Sequence, residues 1–371
     1  MKVAIITIHK IYNYGSNLHA YAMQRFLELN SIDSELIDYL YPTSDNINRM
    51  YKSMPFFQAL RLKLHFMKES LMISTWIQRK RFRQFWDEFY RVTKPYHNFK
   101  ALSEEKWNHD IYIVGSDQVW NTKTVQGDPA FLLAFLPDNF KRFSFSSSFG
   151  IDKIDEQYKK LFQTYLSNFE AIGIREKSGI SILEDLNISK PVKMVCDPTL
   201  LLSPDDYNVI RQRVQYDFDF DYIFVYTMVY AFNPNPGLVN VINEAVKRYK
   251  CKVVFFGIKT HLFKGDCIHI ADGGPCDFVN LLSKAKYVVT SSFHGTAFSI
   301  IYKKPFTSIV PRKGDKRLND IIEELCLDDC LVYNDEIKVR LSTDAVFNAS
   351  FNYKYQNLID DSKSFFLKQL Q

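Results

Sequence analysis

The sequence contains few glycines, 13 in 371 residues, and its six cysteines form no Cys-x-x-Cys pair. Cys326 and Cys330 are spaced as Cys-x-x-x-Cys, but no second ligand pair follows at the spacing of a zinc site. Scattered cysteines of this kind are typical of reduced thiols in a cytoplasmic protein. We therefore expect no metal site and no bound cofactor.

Long apolar runs are also missing from the sequence. The apolar stretch after Met1-Lys2 extends only from Val3 to Ile8, which is too short for the core of a signal peptide. No other uninterrupted apolar run reaches the length that a bilayer requires. The net charge of +5 is mild and does not indicate a nucleic-acid partner. We predict a cytoplasmic location, with peripheral contact at the inner face of the plasma membrane left open.

The length and the pattern of strands and helices indicate an α/β protein with two Rossmann-like domains. A strand over residues 2–8, a helix beginning near Asn17 and a strand over 35–39 form a β-α-β opening. The connection between this first strand and helix lacks the full G-x-G-x-x-G fingerprint, so a dinucleotide is not indicated. We predict a first domain over 1–190, a second over 191–350, and a helix over 351–371 that packs back on the first.

A helical insertion is predicted over residues 46–95. Residues 49–94 contain eleven Lys and Arg against three Asp and Glu, with large apolar side chains interleaved at helical spacing. One interpretation is a helical hairpin with a solvated basic face. The alternative is a surface that rests on anionic lipid of the inner membrane or binds a phosphorylated acceptor.

The stretch Tyr287–Phe298 combines a β-branched strand, a hydroxyl-rich turn and the start of a helix. Ser291 and Ser292 can cap this helix, and Gly295 would let a ligand approach the backbone. A helix N-terminus attracts anions, and histidine is a residue type suited to acid/base work. The pattern predicts an anion site with an acid/base residue. The alternative for His294 is a buried histidine bonded to a backbone carbonyl.

Polar residues also follow two strands of the first domain. The loop Gly115–Asn121 follows a strand over 110–114, and its Asp117 is either a base acting on a sugar or only a turn former. Arg175 follows a strand over 171–174 and can bind a carboxylate or phosphate in bidentate fashion. An ion pair with Glu176 or another acid is an equal alternative for Arg175. Asp197 is interpreted as a structural turn residue at the hinge into the second domain.

Six short motifs together resemble the polysaccharide pyruvyl transferase family. They occur in the family's order and spacing through most of the chain, and they are Asn13-Tyr14-Gly15 with Tyr21-Ala22, Val114–Asn121, Ser147–Gly150, Arg175–Gly179, Asp197–Leu201, and Ser292–Gly295 followed by Pro305-Phe306. The resemblance implies a glycosyltransferase-B-like fold with two domains facing across a cleft. It also implies transfer of a pyruvyl group from phosphoenolpyruvate to a saccharide, lipid-linked or free, to form a ketal.

The resemblance also implies roles for individual residues. The family's donor-binding arginine and histidine map onto Arg175 and His294, and Ser291, Ser292 and Gly295 accompany the histidine. Many members carry an arginine where this chain has Ser292, and the Ser-Phe-His-Gly form looks like that of a bacterial capsule-locus branch. The remaining substrate-binding positions that the resemblance implies are Asn13, Gly15, Ser116, Gln118, Trp120 and Ser148.

Two other functions stay open at this point. One is a glycosyltransferase of the same architecture that uses a nucleotide sugar, for which Asp272-Gly273-Gly274 is the candidate ribose-binding stretch. The other is a non-catalytic sugar-binding subunit of a surface-polysaccharide assembly, favoured by the basic segment 49–94 and by Ser292 at the arginine position.

Overall fold

The computed structural model describes residues 1–42, 72–228, 232–311, 316–334 and 339–371. The chain divides into two compact units. Unit 1 comprises the described residues of Met1–Ser70 together with Trp86–Leu201 and Leu358–Gln371, and unit 2 comprises those of Leu71–Phe85 and Leu202–Asn357. Because of this division, two helices contribute residues to both units.

Unit 1 is built on a six-stranded parallel sheet with the order β2-β1-β3-β4-β5-β6. Its strands are β1 Lys2–Ile6, β2 Asp33–Leu36, β3 Ile111–Val114, β4 Lys141–Ser147, β5 Ala171–Ile174 and β6 Val192–Met194. β3 and β5 are buried along their whole length, as expected for strands covered on both faces. The strand order reverses between β1 and β3, because β2 lies on one side of β1 and all later strands lie on the other.

The helices that belong to unit 1 or begin or end in it are α1 Tyr14–Leu29, α2 Ile73–Phe89, α3 Phe99–Ser103, α4 Glu156–Leu166, α5 Lys177–Asp185 and α11 Ala349–Gln369. The end of α11 packs on the sheet through Phe366, whose ring centroid lies 4.6 Å from that of Phe145 and 5.3 Å from that of Phe26. Cys196 N donates to Ser362 Oγ at 2.9 Å. The aromatic packing and this hydrogen bond therefore hold the C-terminal part of α11 within unit 1.

Unit 2 contains a second six-stranded parallel sheet with the order β12-β11-β10-β7-β8-β9. Its strands are β7 Tyr222–Tyr226, β8 Lys252–Phe256, β9 Cys267–Ile270, β10 Tyr287–Thr290, β11 Phe306–Val310 and β12 Leu331–Tyr333. Its further helices are α6 Asn208–Arg211, α7 Gly237–Tyr249, α8 Pro275–Lys284, α9 Phe293–Ile301 and α10 Lys316–Glu324. This sheet reverses its order between β7 and β10.

The apolar residues of α7 pack on one face of the second sheet. Leu238, Val241 and Ile242 are buried there in one cluster with strand residues such as Val225 and Val289. Aromatic rings dominate another cluster, in which Phe278 of α8 contacts Phe224, Tyr226, Phe256 and Phe298. The sequence is rich in aromatic residues, and most of those described in unit 2 are core residues.

The two sheets confirm the predicted α/β fold with two Rossmann-like domains. Most predicted elements are present with shifted ends; α1, for example, begins at Tyr14 rather than near Asn17. The edge strands β9 and β12 and the helices α4 and α5 were not predicted. The described part of the predicted insertion contains α2, whereas residues 46–71 of that insertion lie outside the described residues. Among the helices that the structure describes, none has the length and apolar character needed to cross a bilayer.

Candidate functional site

In unit 2 the turn from β10 into α9 lies where the strand order reverses. In doubly wound sheets this position, at the carboxyl ends of the strands, is where ligands bind. Ser292 is the N-cap of α9, with an extended backbone, and its Oγ accepts a hydrogen bond from Gly295 N at 3.4 Å. The predicted capping role of this serine is therefore confirmed, and the cap satisfies one backbone donor of the first turn.

The other two hydroxyls of this turn join β10 to β7. Thr290 Oγ1 donates to Tyr226 O at 2.7 Å and accepts from Ser292 N at 3.1 Å. Ser291 Oγ accepts from Met228 N at 2.9 Å. The turn is therefore held in one conformation by its own side chains before any ligand arrives.

Gly295 is required by packing within unit 2. A Cβ atom at this position would lie 2.2 Å from Thr290 Oγ1 and 2.9 Å from Thr290 Cβ, so a side chain would push the helix away from the strand. The glycine thus lets α9 approach β10 closely. This is a different reason from the predicted close approach of a ligand.

His294 lies in the first turn of α9, next to the N-terminal end of the helix dipole. The residue is 8 % exposed, and its ring stands edge-on to that of Phe293 at 5.3 Å between centroids. A largely buried imidazole beside a helix N-terminus can exchange a proton with an anionic ligand while the helix end stabilises the negative charge. The first turn of α9 therefore places an imidazole beside the positive end of the helix.

Unit 1 has an analogous position between β1 and β3. Asn13 is the N-cap of α1, and its Oδ1 accepts from Ser16 N at 3.2 Å. Ser16 Oγ in turn donates to Asp117 Oδ2 at 2.6 Å, and His19 Nε2 lies 3.7 Å from the same carboxylate oxygen. Gly15 lies in the same first helical turn. The structure therefore brings the predicted residues Asn13, Gly15 and Asp117 to one place.

Asp117 has an unusual backbone conformation, with φ at 76°. Its Oδ1 accepts from Gln118 N at 2.8 Å, and its carbonyl oxygen accepts from Ser148 N at 3.0 Å. A positive φ is uncommon outside glycine, although aspartate tolerates it better than most residues. The side chain is 19 % exposed. The loop after β3 therefore holds a partly accessible carboxylate in a constrained conformation.

Arg175 emerges from the carboxyl end of β5 toward a buried acid. Its Nη1 lies 3.3 Å from Asp197 Oδ2, and the two side chains are 6 % and 0 % exposed. The predicted alternative of an ion pair is therefore present, and the partner is Asp197. Glu176 Oε1 instead accepts from the backbone N of Phe149 at 2.8 Å and of Gly150 at 3.2 Å.

A family comparison covers most of the chain that carries these positions. The polysaccharide pyruvyl transferase family model matches residues 13–312. The chain belongs to the polysaccharide pyruvyl transferase family. No protein with a curated description matches it.

Solved structures with the same fold include three whose descriptions name UDP or a UDP sugar. UDP-GlcNAc 2-epimerase from Neisseria meningitidis bound to UDP-GlcNAc is 14% identical, with a TM-score of 0.51 over 100% of this chain and 99% of that one. A putative UDP-N-acetylglucosamine 2-epimerase from Listeria monocytogenes is 13% identical, with a TM-score of 0.51 over 98% and 89%. The S. aureus MnaA–UDP complex is 13% identical, with a TM-score of 0.50 over 98% and 89%. These identities support a common fold and carry no information on substrate.

The resemblance to the family implied an arginine in many members at the position of Ser292. The structure gives this serine a defined local task, because its hydroxyl caps α9. An arginine side chain has no acceptor and could not make that cap. At position 292 the structure therefore has a helix cap where the resemblance implied a guanidinium.

Three other residues that were predicted to contact the substrate are buried in unit 1 or hydrogen-bonded to their neighbours. Trp120 is 1 % exposed, and its Nε1 donates to Phe131 O at 2.9 Å, so we withdraw it from the substrate contacts. Gln118 Oε1 accepts from Asn121 Nδ2 at 2.7 Å and lies over Gly150, which has a φ of 58°. Ser148 is 0 % exposed, and its Oγ has no hydrogen-bond partner within the described residues. Ser148 could therefore contact a ligand only after a local movement of the structure.

The remaining predicted contact, Ser116, belongs to the buried network around Asp197. Its Oγ donates to Asp197 Oδ2 at 2.9 Å and lies 3.2 Å from Ser146 Oγ. From the sequence, Asp197 was interpreted only as a turn residue, and the hydrogen-bond network around it was not predicted. The Asp-Pro-Thr motif offered a signal, because Thr199 Oγ1 also donates to Asp197 Oδ1 at 2.7 Å.

The candidate ribose-binding stretch is engaged by unit 2 itself. Asp272 Oδ1 accepts from Tyr216 OH at 2.6 Å, and its Oδ2 lies 3.5 Å from Arg81 Nη2. Arg81 Nη1 also donates to Asp272 O at 2.9 Å, and a Cβ on Gly274 would lie 2.8 Å from Arg81 Cβ. A ribose at Asp272 would have to displace these partners, which weighs against the nucleotide-sugar alternative.

Proposed function

We propose that the protein transfers a pyruvyl group from phosphoenolpyruvate to a saccharide, forming a ketal across two hydroxyls during capsular or exopolysaccharide biosynthesis. The observation that carries this proposal is His294 in the first turn of α9, inside a motif of the matched family region. The proposal includes a cytoplasmic enzyme without a bound cofactor or a nucleic-acid partner, acting on a free or lipid-linked saccharide.

The chemistry assigns distinct tasks to the two units. A proton is added to the methylene carbon of the enol phosphate, and positive charge develops at the neighbouring carbon. One sugar hydroxyl adds there and loses its proton; a second then displaces inorganic phosphate and also loses its proton. The net result is a ketal and hydrogen phosphate: one hydroxyl proton replaces the proton given to carbon, and the other leaves on the phosphate. His294 supplies the proton to carbon, and the N-terminus of α9 with Ser291 and Ser292 receives phosphate oxygens.

Unit 1 supplies the other proposed groups. Arg175 binds the donor carboxylate, because a guanidinium matches the geometry of a carboxylate. Asp117 accepts a proton from an acceptor hydroxyl, and its partial exposure is compatible with that role. Asn13 and Gly15 belong to the first turn of α1 beside this carboxylate and are proposed to contact the saccharide.

The test of the proposal replaces His294 with alanine. We expect turnover to fall at least about 100-fold, the usual size of a lost acid/base contribution, while the melting temperature stays near wild type. His269→Ala is the matched control, because this histidine of the same unit is exposed and bonds only a backbone carbonyl in the structure, that of Gly257. Mass spectrometry of candidate saccharides incubated with phosphoenolpyruvate detects the ketal. Wild-type turnover in His294→Ala would contradict the role of this residue.

Thermal shifts separate this function from the alternatives. A ligand that binds only the folded protein raises its melting temperature. We expect stabilisation by phosphoenolpyruvate and none by UDP or GDP at equal concentration. Stabilisation by UDP alone would favour the nucleotide-sugar transferase. A folded protein that binds saccharide but neither donor would favour the non-catalytic subunit.

An observation on α2 favours the peripheral membrane contact as part of the proposal. Ile73 and Trp76 are 77 % and 60 % exposed, and Lys80 Nζ lies 5.8 Å above the Trp76 ring. Exposed Arg83 continues this face. Large apolar side chains beside cations are typical of surfaces that rest on anionic lipid.

Vesicle co-sedimentation tests the membrane contact. We expect the protein to pellet with anionic vesicles at low salt, less at high salt because screening weakens the attraction, and less again as Trp76→Ser. Tyr353→Ser is a matched control, since Tyr353 is also exposed but lies on α11. Failure of the wild type to pellet with anionic vesicles would exclude this contact.

A further inference from the structure

A fully buried carboxylate lies at the carboxyl edge of the sheet in unit 1. Asp197 follows β6, and its side chain is 0 % exposed. Burying an ionised carboxylate is costly unless hydrogen bonds and an opposite charge compensate it. The partners of Asp197 therefore indicate why a charged residue is kept at this position.

Among the described residues, at least four donors surround the Asp197 carboxylate. Oδ1 accepts from Thr199 N at 3.0 Å and from Thr199 Oγ1 at 2.7 Å. Oδ2 accepts from Ser116 Oγ at 2.9 Å and from Arg175 Nη1 at 3.3 Å. Ser116 follows β3 and Arg175 follows β5, so the carboxylate joins three strand ends. Contacts on both oxygens prevent the carboxylate from turning.

This arrangement constrains Arg175 in particular. A free arginine side chain samples many rotamers, and ordering it on binding costs free energy. A carboxylate that cannot turn holds Nη1 of the guanidinium in place, because Asp197 is itself held by Ser116 and Thr199. The neighbouring acid, Glu176, has a different task, since its Oε1 accepts from the backbone N of Phe149 and Gly150.

We propose that Asp197 is the positioning residue of Arg175: it orients the guanidinium for the carboxylate of the donor without touching the substrate. The inference rests on the proposed function, in which Arg175 binds phosphoenolpyruvate. Pre-ordering the arginine during folding removes an entropic cost from donor binding. An ion pair with a purely structural role would affect the stability of unit 1 and leave donor affinity unchanged.

The experiment is a double-mutant cycle with two readouts. Phosphoenolpyruvate affinity is measured by calorimetry for the wild type, Asp197→Asn, Arg175→Lys and the double variant. Side-chain N–H signals of arginine are recorded by 15N NMR, and the Arg175 signal is assigned by its loss in Arg175→Lys. Asp128→Asn is the matched control, because Asp128 of unit 1 is also buried and its carboxylate accepts from Tyr39 OH and Ala130 N instead.

We expect Asp197→Asn to weaken donor binding about tenfold, the effect of losing a hydrogen bond to a charged group. In the Arg175→Lys background the same change should have little further effect, because interacting residues are not additive. The Arg175 N–H signal should exchange faster with water in Asp197→Asn, whereas Asp128→Asn should change neither readout.

Two results would overturn the inference: an equal loss of affinity in both backgrounds, or an Arg175 signal that Asp197→Asn leaves unchanged. A different result, in which Asp197→Asn frees the guanidinium but Arg175→Lys retains full donor affinity, would refute the donor role of Arg175 and uphold its orientation by Asp197. If Asp197→Asn does not fold, Thr199→Val provides the test, since it removes one donor and keeps the charge. The inference then requires faster Arg175 exchange together with weaker donor binding.

Discussion

Both units bring the N-terminus of a helix to the point where their strand order reverses, and they surround it with different chemistry. In unit 1 the first turn of α1 meets the carboxylate of Asp117 through Ser16 Oγ. In unit 2 the first turn of α9 carries His294 and is bordered by the hydroxyls of Thr290, Ser291 and Ser292. One position is built around an acid and the other around an imidazole.

The difference follows from what the neighbouring strands contribute. In unit 2 the hydroxyls of Thr290 and Ser291 hold β10 to β7, so the turn needs no charged residue to stay in place. In unit 1 charged and hydroxyl side chains at the ends of β3, β5 and β6 bond each other around Asp197. A helix end lined by hydroxyls suits an anion, whereas an accessible carboxylate suits a saccharide hydroxyl. The same topology therefore presents a carboxylate in unit 1 and an imidazole with uncharged hydroxyls in unit 2.

The largest expected effect concerns Asp117. Asp117→Asn should lower turnover at least about 100-fold, because an amide cannot accept the proton. Its melting temperature should stay near wild type, since asparagine also tolerates a positive φ. Asp117→Ala should lose the same activity and in addition about 1–2 kcal/mol of unfolding free energy, because its φ is 76° in the folded protein.

Steady-state kinetics and urea unfolding of both variants measure these effects. The histidine of unit 2 provides the contrast, because His294→Ala changes a helical residue and should lower activity alone. If Asp117→Asn retained wild-type turnover, Asp117 would be only a turn former and the two positions would not divide the chemistry.

The sequence predicted what local patterns encode. Apolar β-branched runs located β10 and β5, and the Ser-Ser turn located the cap of α9. β9 was missed because its burial is incomplete, as expected for an edge strand, and β12 because it has only three residues. β12 is apolar but shorter than the four to eight residues that a strand assignment needs, and the run of β9 is interrupted by His269.

The contacts that define the candidate site were not predictable, because they join distant parts of the chain. Ser16 and Asp117 are 101 residues apart in sequence, and Ser116 and Asp197 are 81 apart. Trp120 shows the converse error. The resemblance implied a substrate contact for this residue, but nothing in the local pattern reveals that its Nε1 donates to Phe131 O in the core.

The smallest expected effect is on the free energy of unfolding when either of the two helix caps is removed. Asn13 caps α1 by accepting from Ser16 N, and Ser292 caps α9 by accepting from Gly295 N. Replacing either by alanine should cost about 1 kcal/mol, the usual value of an N-cap. Asn13→Ser and Ser292→Asn should retain most of that stability, because both residues are good caps.

Chemical denaturation monitored by hydrogen exchange in each unit measures the cap effects separately, since a two-unit chain need not unfold in one step. We expect Asn13→Ala to lower protection in α1 and Ser292→Ala to lower it in α9. Ser292→Ala should also weaken phosphoenolpyruvate binding, because the cap orders the turn that receives the phosphate, whereas Asn13→Ala should leave donor affinity unchanged. Equal losses of donor affinity in the two variants would remove the proposed distinction between a phosphate-binding turn at α9 and an acceptor position at α1.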